Sequence, residues 1–360
     1  MLNLGSMRNL IVIQIFTIFL TVRVIAQSGG PPLTKESEAC ATNLDRCRRS
    51  AGFGDPLSQV TLGYLYATGT AVDRDANQAV RLFLLGAASG SPAAEFDLGV
   101  SFQRGEGVMK DIPTSIAWFR RSAEKDYGPA LYALAIAYYT GSGVDKDIVK
   151  TVDLLRRAAK KKYPAAEYNL SIFFESGIGL RPNLHSGLKW LMAAARDGNA
   201  DAQLRLGAKY LIGDGVPKDD RKSLQWFRRA AEQNVALAQF EVADAYHSGR
   251  GVPLNDSQAF TWYSRAASQG LAPAQVNLGR LFQKGLGTKL DEAQAIALYR
   301  AAAAQNYAVA EYNLGICYAN GIGVGRDAEQ ARMLFDRAAA HGMNASGSRL
   351  PQFQAGSHPK

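Results

Sequence analysis

Apolar and polar positions recur along this chain with a period of 36 residues. Leu62, Leu98, Leu134, Leu170, Leu206, Val242, Leu278 and Leu314 are each followed four residues later by an aromatic, from Tyr66 and Phe102 to Phe282 and Tyr318. Residues at i and i+4 share one helical face, so the spacing predicts a first helix with that face buried. The residue after each Leu or Val is small, as in Gly63, Ala135, Ser171 and Gly315, which permits close helix approach. A glycine three residues after each aromatic (Gly69, Gly105, Gly141, Gly177, Gly213, Gly249, Gly285, Gly321) supplies the positive φ at which a helix ends.

A second helix follows by the same logic. Asp75, Asp111, Asp147, Asn183, Asp219, Asn255, Asp291 and Asp327 keep the 36-residue register, and Asp or Asn there can accept a hydrogen bond from an otherwise unpaired amide. Eight residues on lies a large side chain, Phe83 in the first copy and Phe335 in the last. Twelve on lies an alanine in every copy, Ala87 through Ala339, which predicts that another backbone packs there. Between the helices a second glycine recurs at Gly107, Gly143, Gly179, Gly215, Gly251, Gly287 and Gly323, with Ala71 the exception.

One helix pair cannot bury its apolar face alone, so eight copies over residues 56–343 predict stacking. The expected fold is all-α: a right-handed superhelical solenoid of eight 36-residue helix-turn-helix repeats. Within the segment 27–55, residues 36–52 read as a second helix without its first. Arg48-Arg49-Ser50-Ala51 falls in register with Asp336-Arg337-Ala338-Ala339, so an N-terminal capping helix is expected. Residues 344–360 carry no helical pattern and read as a disordered tail.

Residues 1–26 differ from the rest. They hold Arg8 and Arg23, no acid, and an apolar run from Leu10 to Val22. Residues 9–22 would span roughly 21 Å as a helix, short of the ~30 Å hydrocarbon core. They read as a signal peptide cleaved near Ala26, which places the mature chain in the periplasm or outside the cell. The 360 residues carry 41 Lys+Arg against 32 Asp+Glu, a net charge of +9, which falls to +7 without that leader. With 47% hydrophobic and 20% charged residues, the composition excludes a wholly disordered chain.

The string small-Ala-x-x-aromatic-Asn-Leu-Gly-x-x-Tyr-x-x-Gly-x-Gly-Val resembles the Sel-one-like repeat, a cousin of the tetratricopeptide repeat with a longer inter-helix loop. Ala310-Glu311-Tyr312-Asn313-Leu314-Gly315 and Trp226-Phe227-Arg228-Arg229-Ala230-Ala231 show it most cleanly. The resemblance implies a non-catalytic adaptor, of the kind that serves as periplasmic signalling regulator, host-interaction protein or lumenal quality-control factor. A cysteine-rich branch of the family is linked with β-lactam binding, but this chain lacks that branch's paired cysteines.

Candidate chemistry is sparse. Ser122-Ala123-Glu124-Lys125 and Ser186-Gly187-Leu188-Lys189 match the Ser-x-x-Lys element of a β-lactamase, yet neither Ser-Asp-Asn nor Lys-Thr-Gly occurs. His185, His247, His341 and His358 are scattered without metal-ligand spacing, so no metal and no cofactor are expected. The Gly-x-Gly pairs recur too regularly to be phosphate cradles. Cys40 and Cys47 would sit about 10 Å apart in a continuous helix, beyond the ~7 Å a disulfide spans. A bond between them would need a helix break, and the sequence leaves that open. Cys317 reads as a buried free thiol.

Binding is the remaining possibility. On the first helices, positions two before, two after and five after the Leu project away from the core face. Phe96, Tyr132, Ile136, Tyr139, Tyr168 and Ile172 form an apolar, aromatic stretch there in repeats two to four, with Val100, Gln103 and Glu175 on the same face. Asp244, His247, Arg280, Gln283 and Lys284 form a polar stretch in repeats six and seven. In related solenoids this side lines the concave groove, and such a surface suits a peptide or protein partner. The rival reading places the aromatics in the core. Arg49, Arg121, Arg157, Arg229, Arg265 and Arg337, with Lys160-Lys161-Lys162, make a basic row on the second helices. An anionic membrane surface is one match for it, and arginine stems lying on the convex side are the other. Nucleic acid is not expected. The reading is an exported, non-enzymatic interaction scaffold, against a β-lactam or peptidoglycan hydrolase and a structural array without a specific ligand.

Overall fold

The structure is a computed structural model and describes Cys40 and residues 42–343. The expected leader (1–26), the following stretch to residue 39 and the tail (344–360) lie outside the described residues. Among the described residues there are seventeen α-helices. A short α1 (Leu44–Gly52) precedes four pairs: α2 (Pro56–Thr68) with α3 (Ala76–Ala88), α4 (Pro92–Arg104) with α5 (Ile112–Glu124), α6 (Gly128–Thr140) with α7 (Ile148–Lys160), and α8 (Pro164–Ser176) with α9 (Leu184–Arg196). Four more follow: α10 (Ala200–Ile212) with α11 (Asp220–Glu232), α12 (Ala236–Ser248) with α13 (Asp256–Ser268), α14 (Ala272–Lys284) with α15 (Glu292–Ala303), and α16 (Ala308–Asn320) with α17 (Ala328–Ala340). They divide into two compact units, one ending at Asn199 and one starting at Ala200. In each unit, helix pairs stack as a solenoid.

The periodic residues do the local work their spacing implies. In all eight second helices the Asp or Asn side chain accepts an amide proton three residues on, at 2.8–3.1 Å. The eight glycines that end first helices have φ between 65° and 82°. The small residue after the Leu has a steric cause. A Cβ on Gly99 would lie 2.5 Å from the ring of Phe119, the core aromatic of the same repeat. Ala87, Ala123 and Ala159 are buried in the first unit, and Ala231, Ala267 and Ala303 in the second. Ala339 departs from the expectation for its column: it is exposed, because among the described residues no further first helix covers it.

The inter-helix loop leans on the preceding repeat. A Cβ on Gly107 would fall 2.2 Å from the carbonyl oxygen of Ala76, and one on Gly287 equally close to that of Asp256. Both carbonyls belong to the first turn of the previous second helix. Repeat one carries Ala71 there at φ 63°. Its counterpart of Ala76 would be Cys40, and α1 starts only at Leu44. Ala71 lines an open hollow together with Leu44 and Asp75.

The first helix occupies the place of a second helix. Gln59 Nε2 donates to Ala51 O at 3.2 Å, as Gln239 does to Ala231 O (3.3 Å) and Gln275 to Ala267 O (3.5 Å). The uninterrupted helix expected over residues 36–52 is corrected: it breaks at Asn43, whose side chain accepts from Arg46 N at 3.1 Å and caps α1. That break brings Cys40 and Cys47 to a Cα separation of 5.1 Å, and they are disulfide-bonded. Cys317 is free and buried, and burial pushes its thiol up to about 11.

Candidate binding face on the first helices

In the unit ending at Asn199, the exposed side of α4, α6 and α8 is mostly apolar. Val100, Ile136 and Ile172 are half-buried at equivalent positions one repeat apart. Tyr132 and Tyr139 flank Ile136. The Tyr132 ring sits 5.3 Å from that of Tyr163, and its hydroxyl accepts from Asn169 Nδ2 at 3.0 Å. The Tyr139 ring packs 5.6 Å from Phe173. Gln103 is exposed and Glu175 half-buried at the rim.

Phe96 and Tyr168 are not surface residues. They are 6% and 7% exposed. The Phe96 ring packs on Phe119 at 5.6 Å and on Tyr127 at 5.8 Å. A residue two before the Leu points to the seam where the following repeat begins, so whether its ring is covered depends on what stands there. Only tertiary packing sets that.

A neighbouring position was passed over in the sequence. Asp97, one residue before Leu98, is 6% exposed. Its Oδ2 is enclosed and makes no hydrogen bond, and no ion pair reaches it. Burial pushes its pKa up to about 8. An unpaired buried carboxylate costs several kcal/mol if it stays ionised. The nearby cations are engaged elsewhere: Arg121 and Lys125 lie 3.1 and 2.9 Å from Glu95, a buried acid on the opposite side of α4. The available signal was the column itself, where Thr61, Ala133, Asn169, Asn277 and Asn313 are uncharged.

In the unit starting at Ala200, the expected polar stretch is largely satisfied from within. Arg250, nearly buried, reaches Glu241 at 3.2 Å and Asp244 at 2.9 Å. His247 Nδ1 lies 2.7 Å from Asp256. Gln283 accepts from Tyr299 Oη at 3.1 Å and donates to Cys317 Sγ at 3.8 Å. Arg280 and Lys284 are exposed. Most of this stretch therefore holds the unit together, with Arg280 and Lys284 left facing solvent.

The basic row is engaged as well. Arg121, Arg229 and Arg265 lie 4.5–4.8 Å over Trp118, Trp226 and Trp262. Arg157 meets Asp126 at 2.9 Å and Arg337 meets Glu311 at 2.7 Å. The Ser-x-x-Lys matches are structural: buried Ser122 donates to Pro92 O at 2.6 Å, and Lys125 donates to Gly90 O at 2.8 Å. The Ser186 amide donates to the cap Asn183. His341 pairs with Glu311 at 2.7 Å. Among the described residues no cluster of three potential ligands could hold a metal, and no helix is long and apolar enough to cross a membrane.

Tandem antiparallel helix pairs with this loop define an α-solenoid of the tetratricopeptide-like class. The chain belongs to the Sel1 repeat family, whose profile matches residues 56–91, 92–127, 128–163, 164–199, 200–235, 236–271, 272–307 and 308–343. It is similar to c5321, a protective antigen of uropathogenic Escherichia coli strains displaying an SLR fold, at 31% identity and TM-score 0.71 over 85% of this chain. The match spans only 65% of the Escherichia coli chain. A Sel1 repeat protein from Oxalobacter formigenes is similar at 32% identity and TM-score 0.55, covering 77% of this chain and 80% of that one. No curated protein matches. Sel1-repeat proteins are in general protein-interaction scaffolds.

Proposed function

We propose that the chain is an exported scaffold that holds a peptide segment of a protein partner on the first-helix face of repeats two to four. The observation that carries this is the row Val100, Ile136, Ile172, flanked by Tyr132 and Tyr139 and left half-open. Rigid apolar side chains repeating along a stack give affinity at low entropic cost, and aromatic flanks give shape. No reactive centre is required. Holding and release are steric.

Export is supported by the leader-like pattern of residues 1–26 and by the Cys40–Cys47 bond, since disulfides persist in oxidising compartments. The description of the Escherichia coli relative as a protective antigen supports a place in the periplasm or outside the cell, in envelope regulation or contact with a host.

The test is a triple change, Val100→Ser, Ile136→Ser and Ile172→Ser. Partners cross-linked to the wild-type chain in its native compartment should be lost from the variant. Purified variant and a wild-type-captured partner should show at least about a hundredfold weaker binding, with an unchanged circular dichroism spectrum. Undiminished binding would remove the face from consideration.

A further inference from the structure

We infer that Asp97 is the charged anchor of this face and takes a basic side chain, lysine or arginine, from the bound segment. The inference rests on the proposed groove. Asp97 stands on α4 one turn from Val100, and Tyr127 of the following seam lies within reach of its charge.

The comparison within the chain is what singles it out. In the same column, Glu241 is also an acid, and Arg250 from the following loop neutralises it at 3.2 Å. Arg205 carries the opposite charge, and Thr61, Ala133, Asn169, Asn277 and Asn313 avoid charge altogether. Asp97 alone buries a carboxyl with an unpartnered oxygen and no cation supplied by the chain. Asparagine, used three times in the column, would have met a need for a small polar residue. A carboxylate deprived of water gains most from an ionised donor. A lysine or arginine fits that need, because its methylene stem can lie along Val100 and Ile136 while its head reaches the acid.

The experiment selects peptides from a random displayed library on the purified full chain, on Asp97→Asn, and on the Val100→Ser, Ile136→Ser, Ile172→Ser variant. The wild type should enrich peptides combining one Lys or Arg with aliphatic or aromatic residues. Asp97→Asn, which removes the ionisable carboxyl without changing shape, should keep the apolar selection and lose the basic one. For a synthetic peptide from the selection, Asp97→Asn and replacement of its basic residue by norleucine should each weaken binding at least tenfold, and together no more than either alone. Apolar peptides without a basic residue, equally bound by Asp97→Asn, would overturn the anchor and leave the groove standing. No enrichment over the triple variant would overturn the groove, and the anchor with it.

Discussion

Glu167 and Asp197, thirty residues apart in repeat four, set two acids against each other, and burial with the charge of Asp197 holds the Glu167 carboxyl above the usual carboxylate range. The same two positions hold complementary groups in five other repeats: Glu95 with Lys125, Gln203 with Gln233, Gln239 with Gln269, Gln275 with Gln305, and Glu311 with His341. In those five repeats the contact clamps the first helix to the end of the second. Two acids repel there while both are ionised.

Burial, then the nearby charge of Asp197, push Glu167 up to about 7, with Lys162 opposing. The unfolded chain gives up that proton near 4.5 and the folded chain near 7. Between these values the folded state holds the extra proton, so stability falls as pH rises through that window and is flat beyond it. Glu167→Gln, which copies the glutamine of repeats five to seven, should raise stability at pH 8 by roughly 2 kcal/mol and leave it nearly unchanged at pH 4. Urea denaturation at both pH values checks this. A variant that keeps the full wild-type pH slope would refute the pairing.

Gly287 and Ala71 occupy the same loop position with opposite tolerance. Gly287→Ala drives a Cβ onto the Asp256 carbonyl at positive φ and should cost more than about 2 kcal/mol. Ala71→Gly removes a strained methyl over an open hollow and should change stability by less than about 1 kcal/mol. Thermal denaturation of the two variants should separate them clearly. Equal losses would mean that the preceding helix is not the cause.

The cap depends on its covalent tie. Replacing Cys40 and Cys47 by serine should destabilise α1 by about 2 kcal/mol on chain-entropy grounds. The loss should be local, read as faster amide exchange at Cys47 and Ala51 with Phe227 and Tyr263 of the other unit unaffected. Unchanged exchange in α1 would show that packing on Leu62 and Leu65 suffices without the bond.

Tyr168 and Ile136 were alike as candidates and should behave differently. Tyr168→Ala removes a buried ring and should cost about 3 kcal/mol, whereas Ile136→Ser at a half-open position should cost about 1 kcal/mol or less. Chemical denaturation with intrinsic fluorescence measures both. A small loss at Tyr168 would return it to the binding face.

Much of the fold was legible because its causes are short-range. A glycine that must take positive φ, an Asp that must accept an amide proton and an i, i+4 pair act within one helical turn, and each recurs at the same register. Asn43 was harder to read: its capping bond to Arg46 is equally local, but it occurs once, with no repeat to confirm it. The candidate face was legible as a set of positions and not as a set of exposures. Phe96 and Val100 look equivalent on a helical wheel, yet the ring of Phe96 is covered by Phe119 and Tyr127. Arg250 lies in a loop, outside any helical pattern, and its partners Glu241 and Asp244 become visible only when that loop folds back on α12.

The sequence by itself determined the repeat, its length, its two helices and the family, since these follow from spacing and backbone preference. Tertiary structure decided which side chains are spent inside. It sent Phe96, Tyr168, Asp244 and His247 into packing or ion pairs, joined Cys40 to Cys47, and left Asp97 enclosed without a counter-charge. The physical reason is that burial depends on what the adjacent helix presents across a seam, as for Phe96, while pairs such as Asp244 with Arg250 or Cys40 with Cys47 meet only where the chain leaves one helix and folds back on it.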